Sequence, residues 1–268
     1  VAKLDVSMEE AASKVKTALK RSDFKITGEY HPGKEDKWYV ITFTRNDLLR
    51  ITMNVGDRGV LASMLRVGLL EKNGKIEVSL LNPSYLFISY LRDNVSRYEE
   101  TLNAIQMDVM MTLGNVGDLF TPFGAGSLTE MELKDFRYMS HMPGFDDPVI
   151  LKKFGSFGEA VRTISGNLQA QREGTYKVYE QINRDKKIAV FGVGLRDERL
   201  GEDKFLTELG EDHLAALPYE LIVKGRTASI LHGRYRFPLY WSDLSMLDYR
   251  KINRTVRDIE YMMKRLTE

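Results

Sequence analysis

Apolar positions along this chain follow helical spacing, then strand-like runs, then helical spacing, and the order occurs twice. Ala11, Val15, Ala18 and Leu19 share one helical face, as do Ala160, Ile164 and Leu168. Each set follows an S-x-x-E motif, Ser7-Met-Glu-Glu10 in one and Ser156-Phe-Gly-Glu159 in the other. In this capping box Ser and Glu satisfy the free N–H groups at a helix start, so helices are predicted to begin after Ser7 and Ser156. Strand-like runs come next: Trp38 to Thr44, Leu49 to Val55 and Lys75 to Leu81, then Lys187 to Leu195, Tyr219 to Val223 and Thr227 to Leu231. Each half closes on a second helical stripe, Leu102, Ile105, Val109 and Leu113 in one and Ile252, Val256, Ile259 and Met263 in the other.

The two halves are copies. The capping motifs lie 149 residues apart, and Tyr30 and Tyr179 share that offset. Near the end of each half, Ser79 to Asp93 and Ser229 to Asp243 both read S-[LI]-L-x-x-x-Y-x-F-x-x-Y-x-x-D, now at offset 150. Six identities in fifteen positions compare with about one expected from ordinary residue usage. Strands in series joined by short turns predict an antiparallel sheet with helices on one face. The expectation is an α+β protein: a first two-layer unit over 1–113, a second over 156–268, and a pseudo-twofold relation between them. The stretch 114–155 has no counterpart. It carries Gly114, Gly117, Gly124, Gly126, Gly144 and Gly155 with Pro122, Pro143 and Pro148, and reads as a long connector with one short helix or strand near Glu130 to Tyr138. Connectors of this length are usually functional or mobile.

Composition narrows the chemistry. The 268 residues include 39 Lys plus Arg and 38 Asp plus Glu, for a formal charge of +1. A protein built to neutralise many phosphates carries a basic excess, so the balance argues against nucleic acid as the main partner. There is no cysteine, which excludes disulfides, thiolate metal sites and cysteine nucleophiles. No apolar run approaches the length of a membrane span. The chain begins at Val1; removal of an export signal or of a tag would both explain this, and an exported location is favoured over a cytoplasmic one.

Lys75-Ile-Glu-Val-Ser79 followed by Asn82-Pro83-Ser84-Tyr85-Leu86, and Leu217-Pro218-Tyr219-Glu-Leu-Ile-Val223, together resemble the domain of unknown function 302 family. Its members tend to show a Leu-Pro pair before a strand and a strand ending in an Asn/Asp-Pro-x-Tyr-Leu turn. The resemblance covers both halves but not the connector. In the second half His232-Gly233-Arg234-Tyr235 replaces the Asn-Pro turn, and the first half lacks the Leu-Pro pair. The resemblance implies a two-layer α/β unit and frequent export, and it brings no catalytic residues.

Several constellations invite a chemical reading. Phe191-Gly192-Val-Gly194 follows an apolar strand, but Asp197 stands where a dinucleotide loop needs its third glycine, so the segment reads as a strand. The four histidines are scattered, with no helical zinc spacing. Met139-Ser-His141-Met142 offers thioether and imidazole ligands suited to Cu(I) or an axial haem position, against the alternative that these methionines fill gaps on the core. Glu208 to Asp212, ending beside His213, reads as a solvated loop or helix end, and the charges of the last helix as a solvated face.

The repeated aromatic element remains. As structure, its rings fill the core and Asp93 and Asp243 cap the next helix. As function, Tyr85, Tyr90 and Asp93 face Tyr235, Tyr240 and Asp243 across the pseudo-twofold axis. The second copy adds His232, Arg234, Arg236 and Trp241, where the first has Asn82, Ser84, Leu86 and Leu91. Aromatic faces with cationic donors hold planar or anionic ligands, and they also mark protein interfaces. The functional expectation is a non-catalytic module binding a small anionic or aromatic ligand or a protein partner near the repeat interface. The alternatives are a metal- or haem-dependent redox protein using His141 or His232, and a structural or assembly protein. The cofactor is unknown, and self-association into a homo-oligomer is compatible with this reading.

Overall fold

The structure, a computed structural model, describes residues 2–117, 121–124 and 128–268. Val1 and the connector glycine Gly126 lie outside the described residues. The first unit runs β1 (Ala2–Leu4), α1 (Met8–Arg21), β2 (Lys25–Tyr30), β3 (Trp38–Thr44), α2 (Asn46–Val55), β4 (Leu65–Lys72), β5 (Lys75–Leu80), α3 (Pro83–Leu91) and α4 (Glu99–Gly114). A short helix α5 (Glu130–Lys134) follows in the connector. The second unit runs β6 (Val149–Lys153), α6 (Phe157–Gln169), β7 (Thr175–Asn183), β8 (Ile188–Leu195), α7 (Glu202–Leu209), β9 (Tyr219–Lys224), β10 (Thr227–Ile230), α8 (Gly233–Tyr240), α9 (Met246–Lys251) and α10 (Asn253–Arg265). Two five-stranded antiparallel sheets result, ordered β1-β5-β4-β3-β2 and β6-β10-β9-β8-β7. The architecture is the expected α+β duplication.

Local chemistry explains the helix starts. Ser7 Oγ accepts from the Glu10 amide at 3.2 Å and Ser156 Oγ from the Glu159 amide at 3.1 Å. The glutamates do not close the box. Glu10 pairs with Lys14 at 2.9 Å, and Glu159 accepts from the Gly155 amide at 2.9 Å. The reciprocal arrangement forms in α5, where Thr129 and Glu132 cap one another.

Three expectations change. Leu49 to Val55 is not a strand but lies in α2. Alternation (Leu49, Ile51, Met53, Val55) fits a strand, yet Leu48, Ile51, Thr52 and Val55 fit a helix equally well. Burial of Leu48, Ile51 and Thr52 decides the matter, and Thr52 Oγ1 bonds back to the Leu48 carbonyl at 2.9 Å. Val149–Lys153, read as connector, is the edge strand β6, paired with β10 as β1 pairs with β5. Tyr30 and Tyr179 are not equivalent. Tyr30 lies opposite Val40 and Tyr179 opposite Gly192, while β3 and β8 correspond at offset 150. The true counterpart of Tyr179 is Gly28, and a bulge shifts the register at the same place in both strands.

Alternation along β4 sends Leu65, Val67 and Leu69 to one sheet face and Arg66 and Gly68 to the other. Helix α1 packs against β2, β3 and β4, and α4 packs on α1. The opposite face is covered by the other unit: the 3-10 segment Glu211–Ala216, which follows α7, lies across β3, β4 and β5. Reciprocally, the 3-10 segment Asp57–Ser63, which follows α2, reaches β8 and β9. Close approach requires glycine at position 68, where a Cβ would stand 2.6 Å from Leu214 Cβ and 2.9 Å from the Ala215 nitrogen. The units thus cover each other's sheets, and side chains leaving those faces meet at the pseudo-twofold axis.

Candidate functional site at the repeat junction

Arg66 and Glu220 occupy the same place in the two sheets. Arg66 is opposite Thr42 and Glu220 opposite Gly192, and Thr42 and Gly192 are themselves 150 residues apart. The pseudo-twofold axis brings these equivalent but oppositely charged side chains together, Arg66 Nη2 on Glu220 Oε1. Tyr90 and Tyr240 are likewise equivalents in contact, Tyr90 donating to the Tyr240 hydroxyl at 2.8 Å. Arg66 Nη1 donates to that same oxygen at 2.8 Å.

Arg236 of α8 completes the cluster from the second unit only; its first-unit counterpart is Leu86. Its Nη2 donates to Glu220 Oε2 at 3.1 Å and to the carbonyls of Ala216 at 2.7 Å and Pro218 at 2.9 Å. Its guanidinium also lies 4.1 Å from the Tyr219 ring centre and 4.6 Å from that of Tyr240, within cation–π range. Arg66, Arg236 and Glu220 are 0, 1 and 3 % exposed. Two cations therefore share one carboxylate out of water, and among the described residues Arg66 Nε and Arg236 Nη1 find no hydrogen-bond acceptor.

The phenols feel this charge. Burial alone would push Tyr240 up, but Arg66 and Arg236 outweigh it and hold its pKa below the ordinary value. Burial and the neighbouring Tyr240 push Tyr90 well above it. Tyr179 is pushed up to about 12 by burial, against the pull of Arg66. Tyr240 is thus the group whose ionisation would balance the buried charge, and it is already the acceptor of two hydrogen bonds.

Of the residues singled out from sequence, Tyr90, Arg236 and Tyr240 share this cluster. Tyr85 borders it, donating to the Leu239 carbonyl at 2.8 Å. Tyr235 is buried beside it against Phe136 and Phe145 of the connector. Trp241 points away, into an aromatic group with Phe205 and Phe237. Asp243 lies outside, 3.4 Å from His213 Nε2, and that imidazole packs between Phe123 and Trp241 rather than standing in a solvated loop. Asp93 is exposed, 3.7 Å from Lys134. Neither aspartate caps the next helix: Ser245 caps α9, and α4 starts after Tyr98 without a side-chain cap. Arg234 is half-buried near Glu260 and Tyr249 on another face. His232 Nδ1 accepts from the Arg234 amide at 3.1 Å, doing for α8 what Asn82 does for α3. Burial and then Arg234 lower its pKa, as an acceptor nitrogen requires.

The Met139–Met142 segment lies apart. Met139 and His141 are exposed while Met142 packs against the core. Among the described residues no three His, Asp or Glu side chains gather as a metal site would need, and no helix is long and apolar enough to cross a membrane.

As site residues, Arg66, Glu220, Tyr179 and Tyr219 are missing from the sequence expectation, although Tyr179 and Tyr219 appear in its repeat and motif matches. One signal was available: Arg66 and Glu220 each interrupt an otherwise apolar strand, and a charge in a two-sided buried strand must find a partner.

No protein-family model matches this chain, and no curated protein matches it.

Proposed function

We propose that this protein is a non-catalytic binding module that takes a small anion at the repeat junction. The reading rests on the unbalanced charge of the Arg66–Glu220–Arg236 cluster. A buried cation without its counter-charge costs several kcal/mol, and among the described residues Arg66 Nε and Arg236 Nη1 have no acceptor. An anionic ligand supplies both the charge and the acceptors, and the rings of Tyr219 and Tyr240 suit a planar, aromatic one. Access runs through the connector. Phe145 stacks on Tyr90 at 5.7 Å, and Asp146 is tied to Arg58 at 2.8 Å and Arg92 at 2.6 Å. Displacing this strap uncovers the Tyr90–Tyr240 pair. The likeness to the domain of unknown function 302 family rests on the short motifs alone and adds no ligand.

The test is calorimetry and thermal unfolding with phosphate, acetate and benzoate. A ligand at a hundredfold its Kd raises stability by about 2.7 kcal/mol. Arg236→Leu, which installs the first-unit residue, should abolish the effect while preserving the fold. If no anion stabilises the wild type, or Arg236→Leu responds equally, the junction is a structural contact and the reading fails.

A further inference from the structure

The duplication supplies an internal control for surface chemistry. Helices α4 and α10 are equivalent, with Leu102, Val109 and Leu113 matching the buried Ile252, Ile259 and Met263 at offset 150. Their outward positions match too, and there the chemistry reverses. Where α10 presents Arg254, Arg257 and Tyr261 to water, α4 presents Ala104, Met107 and Met111. Met107 and Met111 are 63 and 64 % exposed, and Met110 beside them is 40 % exposed. Single exposed apolar residues are ordinary, but a contiguous stripe that replaces two arginines and a tyrosine marks a contact surface. Methionine is a side chain suited to such a contact, because it adapts its shape to a partner.

We infer that the outer face of α4 is the twofold contact of a homodimer, with two copies of α4 packed antiparallel. Charge selects this occupant. The first turn of α4 carries Glu99 and Glu100, and its last turn carries no basic residue. Arg21 of α1, with Lys14 that pairs with Glu10 in the same helix, flanks that last turn instead, lining with Thr112 and Asn115 an open groove of about 620 Å³. Antiparallel pairing sets Glu99 and Glu100 of each copy towards the basic groove of the other. It also opposes the helix dipoles and lays Met107 against Met111 of the second copy. Parallel pairing would bring the acidic turns together. By symmetry each favourable contact occurs twice. A 16-residue helix is about 24 Å long, too little alone for the roughly 800 Å² per partner of a stable interface. The contact therefore extends across the groove onto α1.

Light scattering of the full chain should give a mass near twice 30.8 kDa. The pair Met107→Lys and Met111→Lys should weaken the dimer about a hundredfold or more, since each lysine at an apolar contact loses about a factor of ten. The same protein should keep its circular-dichroism spectrum and cooperative unfolding, because both side chains are exposed on the single chain, and of the two proteins only the wild type should show a thermal midpoint that rises with protein concentration. Arg257→Glu on α10 should change neither. The absence of cysteine allows a geometric check: an equimolar mixture of Met107→Cys and Met111→Cys proteins should oxidise to more cross-linked dimer than either alone. A monomeric wild type, a dimer indifferent to the lysines, or a monomer that instead binds anionic vesicles through this stripe would each overturn the assignment.

Discussion

Replacing Glu202 by Gln should remove a pH dependence of stability that is built into the contact between the two units. Glu202 opens α7 and is fully buried, and Tyr30 from β2 of the other unit donates to its Oε1 at 2.8 Å. Burial pushes its carboxyl up to about 8, against the opposing pull of the Tyr30 hydroxyl, the backbone at Leu195 and Gly33, and Arg196. In the unfolded chain the group titrates near 4.5. Between those values the folded protein holds a proton that the unfolded chain has released, so stability falls as pH rises through the window. The gap, at about 1.4 kcal/mol per pH unit, sets a ceiling of about 5 kcal/mol. Relaxation and entering water reduce it to a few kcal/mol. Gln keeps an acceptor for Tyr30 and never ionises. Urea unfolding followed by circular dichroism should therefore show the two proteins nearly equal at about pH 5, and the variant more stable by a few kcal/mol at about pH 9. Taking the difference between the proteins cancels every other titrating group. A difference that stays constant with pH, or that favours the wild type as pH rises, would refute the argument.

Ser7→Ala and Ser156→Ala should each cost about 1 kcal/mol in denaturant unfolding, because each removes the acceptor for an orphan amide at a helix start. Glu220→Gln should cost about 3–5 kcal/mol, since it strips the shared counter-charge from two buried guanidinium groups. Adding Arg236→Leu to that variant should recover part of the loss, and a double-mutant cycle that shows pure additivity would deny the coupling. Gly68→Val should cost about 1–3 kcal/mol by driving a side chain into Leu214 across the unit boundary, read as a lower thermal midpoint.

The junction depends on registers that no local pattern announces. Motif alignment at offsets 149 and 150 pairs Tyr90 with Tyr240, and the structure brings their hydroxyls together. The same offsets misplace Tyr30 against Tyr179, because the repeat lengths drift between motifs. Arg66 and Glu220 stand 154 positions apart, so an alignment at 150 never compares them. The aromatic element shows the same division. From sequence its cations, rings and carboxylate form one group within twelve residues. Helix α8 and the residue that ends it then turn Arg234, Arg236 and Trp241 to different faces, so of these three only Arg236 reaches the axis, beside Tyr240.

Sequence alone determined what depends on neighbours along the chain: the duplication, the helix starts at Ser7 and Ser156, the amphipathic stripes and the strands from Trp38 and Lys75. These follow from periodicity and from hydrogen bonds spanning three or four residues, which a linear pattern records. Only the tertiary structure decided that Leu49 to Val55 is helical, that each unit covers the other's sheet, and that Arg66, Glu220 and Arg236 share one buried cluster. Those outcomes turn on which face of each element another element buries. Burial is a property of the packed molecule, and the same alternation of apolar residues serves a helix or a strand until a neighbour arrives to cover one side.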